Sequence, residues 1–241
     1  MAKIIFIPGL LCTAQLFHPQ INALGTAHEI CVADTTGMAS IEEMAQKLID
    51  DFCIASDEKP VLAGLSMGGY VVLEALRLAA DRFSGFALLS TSSRADDEVR
   101  KKQRKELIAL SEIGKFKGVT PRLLPRFLSP EALKDEALVQ IVMDMAAEIG
   151  QKNFTLQQTA IMARRDHRQL LENYTHPALV CCGQLDVLTP PDLSSEMAER
   201  LENAELLLLE ETGHLSTLEA AEQVNQALLR LIKRAEQHQK G

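Results

Sequence analysis

Tryptophan is absent and tyrosine occurs only twice in the 241 residues, which argues against an aromatic cage for a cationic ligand. Cysteine is scarce and odd in number, at Cys12, Cys31, Cys53, Cys181 and Cys182, with no C-x-x-C spacing. That count, with no secretory signal, points to reduced thiols in a cytoplasmic protein. Cys181 and Cys182 adjoin in a strand-like run, so their side chains face opposite ways and read as packing residues. No stretch approaches the ~18 uncharged apolar residues of a membrane span. The apolar run Ile4-Ile5-Phe6-Ile7 stops at Pro8-Gly9, too short for a signal peptide, and reads as a buried strand. Positive charge is also short: 25 Lys and Arg stand against 33 Asp and Glu, a net −8. That balance argues against a general nucleic-acid binder. His18, His28, His167, His176 and His238 lack paired metal-ligand spacing, so no metal is implied, and the serine chemistry read below calls for no cofactor.

What is present is ordinary for a folded enzyme-sized domain. Hydrophobic residues make up 46% and charged residues 24%, spread evenly, which excludes a disordered or repetitive chain. Short apolar runs alternate with helical patterns. Strands are expected at Lys3–Ile7, Glu29–Ala33, Pro60–Leu65 and Gly85–Leu89. Helices are expected at Ala14–Leu24, from Ser40 to about Ala55 with Ser40 and Glu43 as a capping box, and at Gly68–Ala80. Residues 94–174 hold no strand pattern and read as three or four helices broken at Gly114, Gly118, Pro121, Pro125, Pro130 and Gly150. The alternation then resumes with a strand Pro177–Cys182, a helix Pro191–Leu201, a strand Ala204–Glu210 and a helix from Leu218 to about Glu236. The strands are near-continuous apolar runs, as in a parallel sheet covered by helices on both faces. The division is therefore a core of 1–93 with 175–241, and a helical insertion of 94–174 at the carboxyl edge, where open parallel sheets bind ligands.

Chemistry is concentrated at that edge. Gly64-Leu65-Ser66-Met67-Gly68-Gly69 is a G-x-S-x-G between a strand and a helix. The turn is so tight that positions 64 and 68 must be small, and it lifts the Ser66 hydroxyl to the positive end of the helix. A serine needs a base, and the base needs a carboxylate to fix its tautomer. Asp186, in Gly183-Gln184-Leu185-Asp186, and His214, in Thr212-Gly213-His214, both follow later strands, in the required order Ser, Asp, His. Asp186 also fits a turn or cap residue before Leu188-Thr189-Pro190, and Asp96 or Asp97 is a rival acid after the fourth strand. The oxyanion needs two donors, read as the backbone N–H groups of Met67 and of Leu10 in Pro8-Gly9-Leu10-Leu11.

With these residues in view, the chain resembles the α/β-hydrolase superfamily, in particular the small bacterial branch of carboxylesterases, acyl-carrier-protein methyl ester esterases and enol-lactonases. The resemblance rests on Ile7-Pro8-Gly9-Leu10, a weak match at Asp34-Thr35-Thr36-Gly37-Met38-Ala39-Ser40, the Ser66 elbow, Gly183-Gln184-Leu185-Asp186 and Gly213-His214. It implies an α/β-hydrolase fold of about six mostly parallel strands in the order 2-1-3-4-5-6, and a cap, or lid, formed by 94–174. Two departures stand out. Pro8 replaces the usual histidine of the oxyanion loop, and the first strand begins at Lys3, so the family's N-terminal hairpin has no counterpart. Serine rather than aspartate at position 66 argues against a haloalkane dehalogenase.

The insertion also bears on the substrate. Residues 94 to 126 carry ten basic and five acidic residues, a net +5 that leaves −13 on the rest. This is either the solvated face of a helix whose apolar side is Val99, Leu107, Ile108 and Leu110, or an electropositive mouth for an anionic substrate or an acidic carrier protein. Leu138, Ile141, Val142, Met143, Met145, Ile161 and Met162 join the insertion to the sheet, with a few left to line an acyl pocket. The expected function is a serine hydrolase acting on a carboxylic ester, thioester or lactone through an acyl-enzyme on Ser66. The alternatives are a C–C hydrolase or lyase with the same triad, or a slow-turnover ligand sensor. The expected partner is a small acyl substrate, with no nucleic acid and no membrane.

Overall fold

In the computed structural model, residues 1–53, 59–113 and 116–239 are described. The expected helix end near Ala55 lies outside the described residues, as do Gly114, Lys115 and Lys240. Six strands form one parallel sheet: β1 (Lys3–Ile7), β2 (Glu29–Val32), β3 (Val61–Leu65), β4 (Gly85–Leu89), β5 (Ala178–Gly183) and β6 (Ala204–Leu209). Their order is β2-β1-β3-β4-β5-β6, every pairing parallel. The central β3, β4 and β5 are buried throughout, while the edge strands β2 and β6 are mostly half-buried. Continuous apolar runs are therefore required only in the middle of the sheet.

Alternate residues of each strand face opposite layers. Ile4, Phe6, Val61, Ala63, Leu89 and Cys181 point to one face. There Leu24 of α1 (His18–Leu24) and Val224, Leu228 and Leu231 at the C-terminal end of the chain cover them. Ile5, Ile7, Leu62, Phe86, Leu88 and Val180 point to the other, against α2 (Ile41–Cys53) and α3 (Met67–Ala79). The α2 start is capped by Ser40 Oγ, which accepts from the Glu42 and Glu43 N–H groups.

The strandless stretch 94–174 contains α4 (Glu98–Ser111), α5 (Glu136–Met162) and three 3-10 turns among its described residues. Asp97 caps α4 by accepting from the Arg100 N–H at 2.7 Å. The long α5 is two helical arms, 136–149 and 151–162, broken at Gly150, whose φ of 73° is a conformation that glycine adopts without strain. Beyond this stretch lie α6 (Pro191–Arg200), α7 (Ser216–Glu219) and α8 (Ala221–His238). The helix expected from Leu218 is thus divided, and the one expected over Ala14–Leu24 begins as a 3-10 turn at Ala14–Phe17.

The α4 stripe also differs from expectation. Val99 and Leu110, read as part of its apolar side, are 66% and 63% exposed. The inward stripe is instead Arg100, Arg104, Leu107, Ile108 and Ser111. Arg104 sets it by reaching down to the fully buried Asp96 carboxylate, at 2.5 Å, which Arg164 grips from the other side at 2.6 Å. Arg164 in turn lies over the Tyr70 ring of α3, 4.2 Å from its centroid. Beside it, the buried Glu74 of α3 meets Arg77 at 2.7 Å and His167 at 2.9 Å. Burial alone would raise the Glu74 carboxyl, but the hydrogen bonds from His167 and Arg77 outweigh it and hold it at about 2. Asp96 thus knits the helical stretch together, and the stretch is tied to α3 through the Glu74 carboxylate with His167 and through Arg164 over Tyr70.

Candidate active site

Ser66 occupies the single residue between β3 and α3, with φ 56° and ψ −114°. A side chain held at positive φ costs of order 1–3 kcal/mol and persists only where its surroundings impose it. Here the surroundings are backbone. A Cβ at Gly64 would run into the Gly68 carbonyl, and one at Gly68 into the Ile7 carbonyl. The Ser66 peptide groups are also pinned: its N–H donates to the Leu89 carbonyl at 2.9 Å, and its carbonyl accepts from Thr91 Oγ1 at 2.7 Å. Nothing in the sequence singled out Thr91, because a threonine two residues past a strand carries no pattern of its own.

Asp186 and His214 meet at the same edge of the sheet, from the loops after β5 and β6. His214 Nδ1 is 2.8 Å from Asp186 Oδ2, with both side chains buried. The Asp186 carboxylate has further donors: Thr189 Oγ1 at 2.7 Å, and the N–H groups of Leu188 and Thr189 at 2.8 and 2.9 Å. Burial pushes this carboxyl upward, but the charge and hydrogen bond of His214 and the Thr189 donors prevail, and it stays below the usual aspartate value. Asp186 is therefore both the turn residue and the histidine's partner, the two readings that the sequence left open. Cys182, read as a packing residue, is buried as such but also places its thiol against this cluster, donating toward the Thr189 carbonyl at 3.3 Å and Asp186 Oδ2 at 3.8 Å.

The rival acids are elsewhere. Asp96 is consumed by Arg104 and Arg164, and Asp97 caps α4. Sequence reasoning missed Glu219, whose carboxylate accepts three backbone N–H groups around the histidine: Gly213 at 3.0 Å, Leu215 at 3.2 Å and Ser129 at 2.8 Å. The His214 N–H itself donates to the Phe127 carbonyl at 2.9 Å. The histidine loop is thus held from both the core and the helical stretch.

The loop after β1 passes beside the serine. A Cβ on Gly9 would sit 3.4 Å from Ser66 Cβ, so a larger residue there would press on the elbow. The Cys12 N–H closes a turn onto the Gly9 carbonyl at 3.1 Å, and the Leu11 N–H donates to Gln157 Oε1 at 3.1 Å. Among the described residues no protein acceptor takes the Leu10 N–H or the Met67 N–H, the first of α3. Ser66 Oγ and His214 share this edge and form no hydrogen bond with each other. The described residues hold no cluster of His, Cys, Asp and Glu able to bind a metal ion.

The alpha/beta hydrolase family model matches residues 4–227. The chain belongs to the alpha/beta hydrolase family. Among curated relatives of this hydrolase, it is 30% identical over 207 residues to the dihydrolipoyllysine-residue acetyltransferase component of the acetoin cleaving system of Pseudomonas putida. That match covers 80% of this chain, which spans about half the length of that relative. It is 26% identical over 245 residues to the putative carbamate hydrolase RutD of Serratia proteamaculans, covering 94% of this chain and 89% of the relative. Among solved structures, a thermophilic esterase from Thermogutta terrifontis superposes with a TM-score of 0.87 at 23% identity, covering 98% of this chain and 90% of that one. At that identity the superposition shows a shared fold. Family membership and the similarity to the carbamate hydrolase support hydrolase activity for this chain.

Proposed function

We propose that this alpha/beta hydrolase is a serine hydrolase cleaving a carboxylic ester, thioester or lactone through an acyl-enzyme on Ser66. The observation that carries the reading is the strained Ser66 at the elbow, on the same sheet edge as the buried Asp186–His214 pair. His214 Nε2 takes the Ser66 proton as Oγ attacks the carbonyl carbon. Asp186, ionised and facing Nδ1, keeps the ring in the tautomer whose Nε2 is free and stabilises the imidazolium. The developing oxyanion is held by the Leu10 and Met67 N–H groups, aided by the N-terminal end of α3. The tetrahedral intermediate collapses, the C–O or C–S bond breaks, and His214 returns the proton to the leaving group. Water, deprotonated by His214, then attacks the acyl-enzyme and releases the acid and Ser66.

The stretch 94–174 is the cap in this reading, and it is where the substrate is chosen. Arg94, Lys101 and Arg104 of its basic segment are engaged by Glu196, Glu98 and Asp96, while Lys102, Lys105, Lys117, Arg122 and Arg126 are exposed. That leaves a modest positive surface for an anionic acyl substrate or its acidic carrier. The test is initial rates on p-nitrophenyl esters of two to twelve carbons, beside Ser66→Ala and mass-spectrometric mapping of a fluorophosphonate adduct. Turnover that peaks at one chain length, disappears in Ser66→Ala and maps the adduct to Ser66 supports the proposal. No turnover and no adduct sinks it; an adduct without ester turnover moves the weight to a C–C hydrolase or a sensor.

A further inference from the structure

The second arm of α5 touches the core in a way the cap assignment does not require. Two amide side chains one helical turn apart, Asn153 and Gln157, hold backbone groups of the loops after β1 and β2. Asn153 Oδ1 accepts from the Gly37 N–H at 2.9 Å. Gln157 is fully buried. Its Oε1 accepts from the Leu11 N–H at 3.1 Å, and its Nε2 lies 3.4 Å from the Thr35 carbonyl and from Thr35 Oγ1. Leu11 is one of few non-glycine residues at positive φ, 61°, so its backbone needs outside support to remain there.

The Leu10–Leu11 peptide is fixed at both ends. Its N–H is taken by Gln157, and its carbonyl accepts from the Cys12 thiol at 3.5 Å. The next peptide along, Gly9–Leu10, carries the N–H assigned to the oxyanion. If the Leu11 peptide turned, the Leu10 N–H would turn with it through their shared Cα. A donor misplaced by a fraction of an ångström loses most of its worth to a transition state. We infer that Gln157 is a positioning residue: from the helical insertion it locks the loop after β1 so that the Leu10 N–H faces the oxyanion. The inference rests on the serine-hydrolase reading and adds to it that the insertion takes part in building the oxyanion site. It also explains why Leu11, rather than Leu10, has a side-chain acceptor. The Leu11 amide is the structural one and the Leu10 amide is left for the substrate.

The test compares Gln157→Met, which keeps length and loses the acceptor, with Gln157→Glu, which keeps an acceptor at the same atom. Asn153→Ala removes a similar contact on the same arm to a different loop. Each is measured for kcat and KM on the best p-nitrophenyl ester, for Ki of a trifluoromethyl ketone, and for amide hydrogen exchange at residues 9–12. The expected result for Gln157→Met is a kcat about 10- to 100-fold lower with KM within twofold. Ki should weaken in proportion to kcat/KM, and exchange at the Leu11 amide should rise at least tenfold. Gln157→Glu should recover most of the rate, and Asn153→Ala should stay within threefold of the unaltered protein. The inference is overturned if Gln157→Met exchanges faster at Leu11 yet keeps kcat and Ki. It is equally overturned if Asn153→Ala loses as much rate, since the arm then acts only as general support. Should Gln157→Met fail to fold, the decision falls to Gln157→Glu, where the Leu11 amide staying protected while kcat and Ki collapse overturns it. If the unaltered protein neither turns over esters nor forms the Ser66 adduct, the serine-hydrolase reading itself has failed, and the exchange data still report whether Gln157 fixes the loop.

Discussion

Removing the Glu219 carboxylate isolates how the histidine is held. Its Oε2 accepts from Ser129 and Gly213, and its Oε1 from Leu215, at 2.8, 3.0 and 3.2 Å. A hydrogen bond to a charged acceptor contributes about 1.5–3 kcal/mol in the net, and three on one half-buried carboxylate are not additive. Glu219→Ala is therefore expected to lower stability by about 3 kcal/mol, about 6–12 °C in Tm for a chain of this length. Glu219→Gln, with its oxygen in the Oε2 place, keeps the two shorter bonds and loses the longest, for about 1 kcal/mol. Gly213 and Leu215 flank His214 directly, so the same loss loosens the ring that accepts the Ser66 proton in the proposed mechanism. About 1.4 kcal/mol of misplacement felt in the transition state is tenfold in kcat, and that is the expected reduction for Glu219→Ala at a temperature where it remains folded. Urea unfolding and ester kinetics on the three proteins measure both quantities. An alanine variant that unfolds within 1 kcal/mol of the parent and keeps kcat within twofold would falsify the argument that this carboxylate organises the histidine loop.

Other expectations follow from the same geometry. Asp186→Asn should lower kcat by about 10³–10⁴-fold while leaving the fluorophosphonate site at Ser66, because an amide beside Nδ1 no longer selects the tautomer; a loss under tenfold in ester assays refutes the assignment. Gly68→Ala drives a Cβ into the Ile7 carbonyl, so little or no folded protein should be recovered, and a soluble variant with unchanged Tm contradicts the elbow geometry. Asp96→Asn leaves Arg104 and Arg164 facing a neutral amide at a buried site, a loss of about 3–5 kcal/mol, yet kcat of the folded fraction should stay within threefold, since this aspartate does not serve His214. The pH dependence of stability follows Glu74. Its carboxyl is lowered to about 2 in the fold, against about 4.3 in an unfolded chain. The folded state thus binds the proton less readily, its contribution is complete above the unfolded value, and it is lost as pH falls from about 4.3 toward 2. Glu74→Gln should flatten that part of the acid-unfolding curve, and an unchanged slope counts against it.

Much of this protein was readable along the chain. Apolar runs separated by helical periods placed all six strands within a residue or two, most firmly the central β3, β4 and β5, because strands buried on both faces must be apolar throughout. The order of Ser66, Asp186 and His214, each just past a strand, was readable because a parallel sheet brings every carboxyl end to one edge. Gly64 and Gly68 were readable because the turn leaves no room for a side chain. The tertiary structure alone decided what supports those residues. Gln157 reaches Leu11 across 146 positions, Glu219 reaches Ser129 across 90, and Thr91 reaches Ser66 across 25. A hydrogen bond between distant segments imposes no spacing on the sequence, so no pattern announces it. The same holds for α4, whose periodicity allowed Val99 and Leu110 an inward face until the buried pairing of Arg104 with Asp96 turned the helix the other way. Local spacing fixes what a residue can be part of, and the choice of its distant partner is made only when the chain closes on itself.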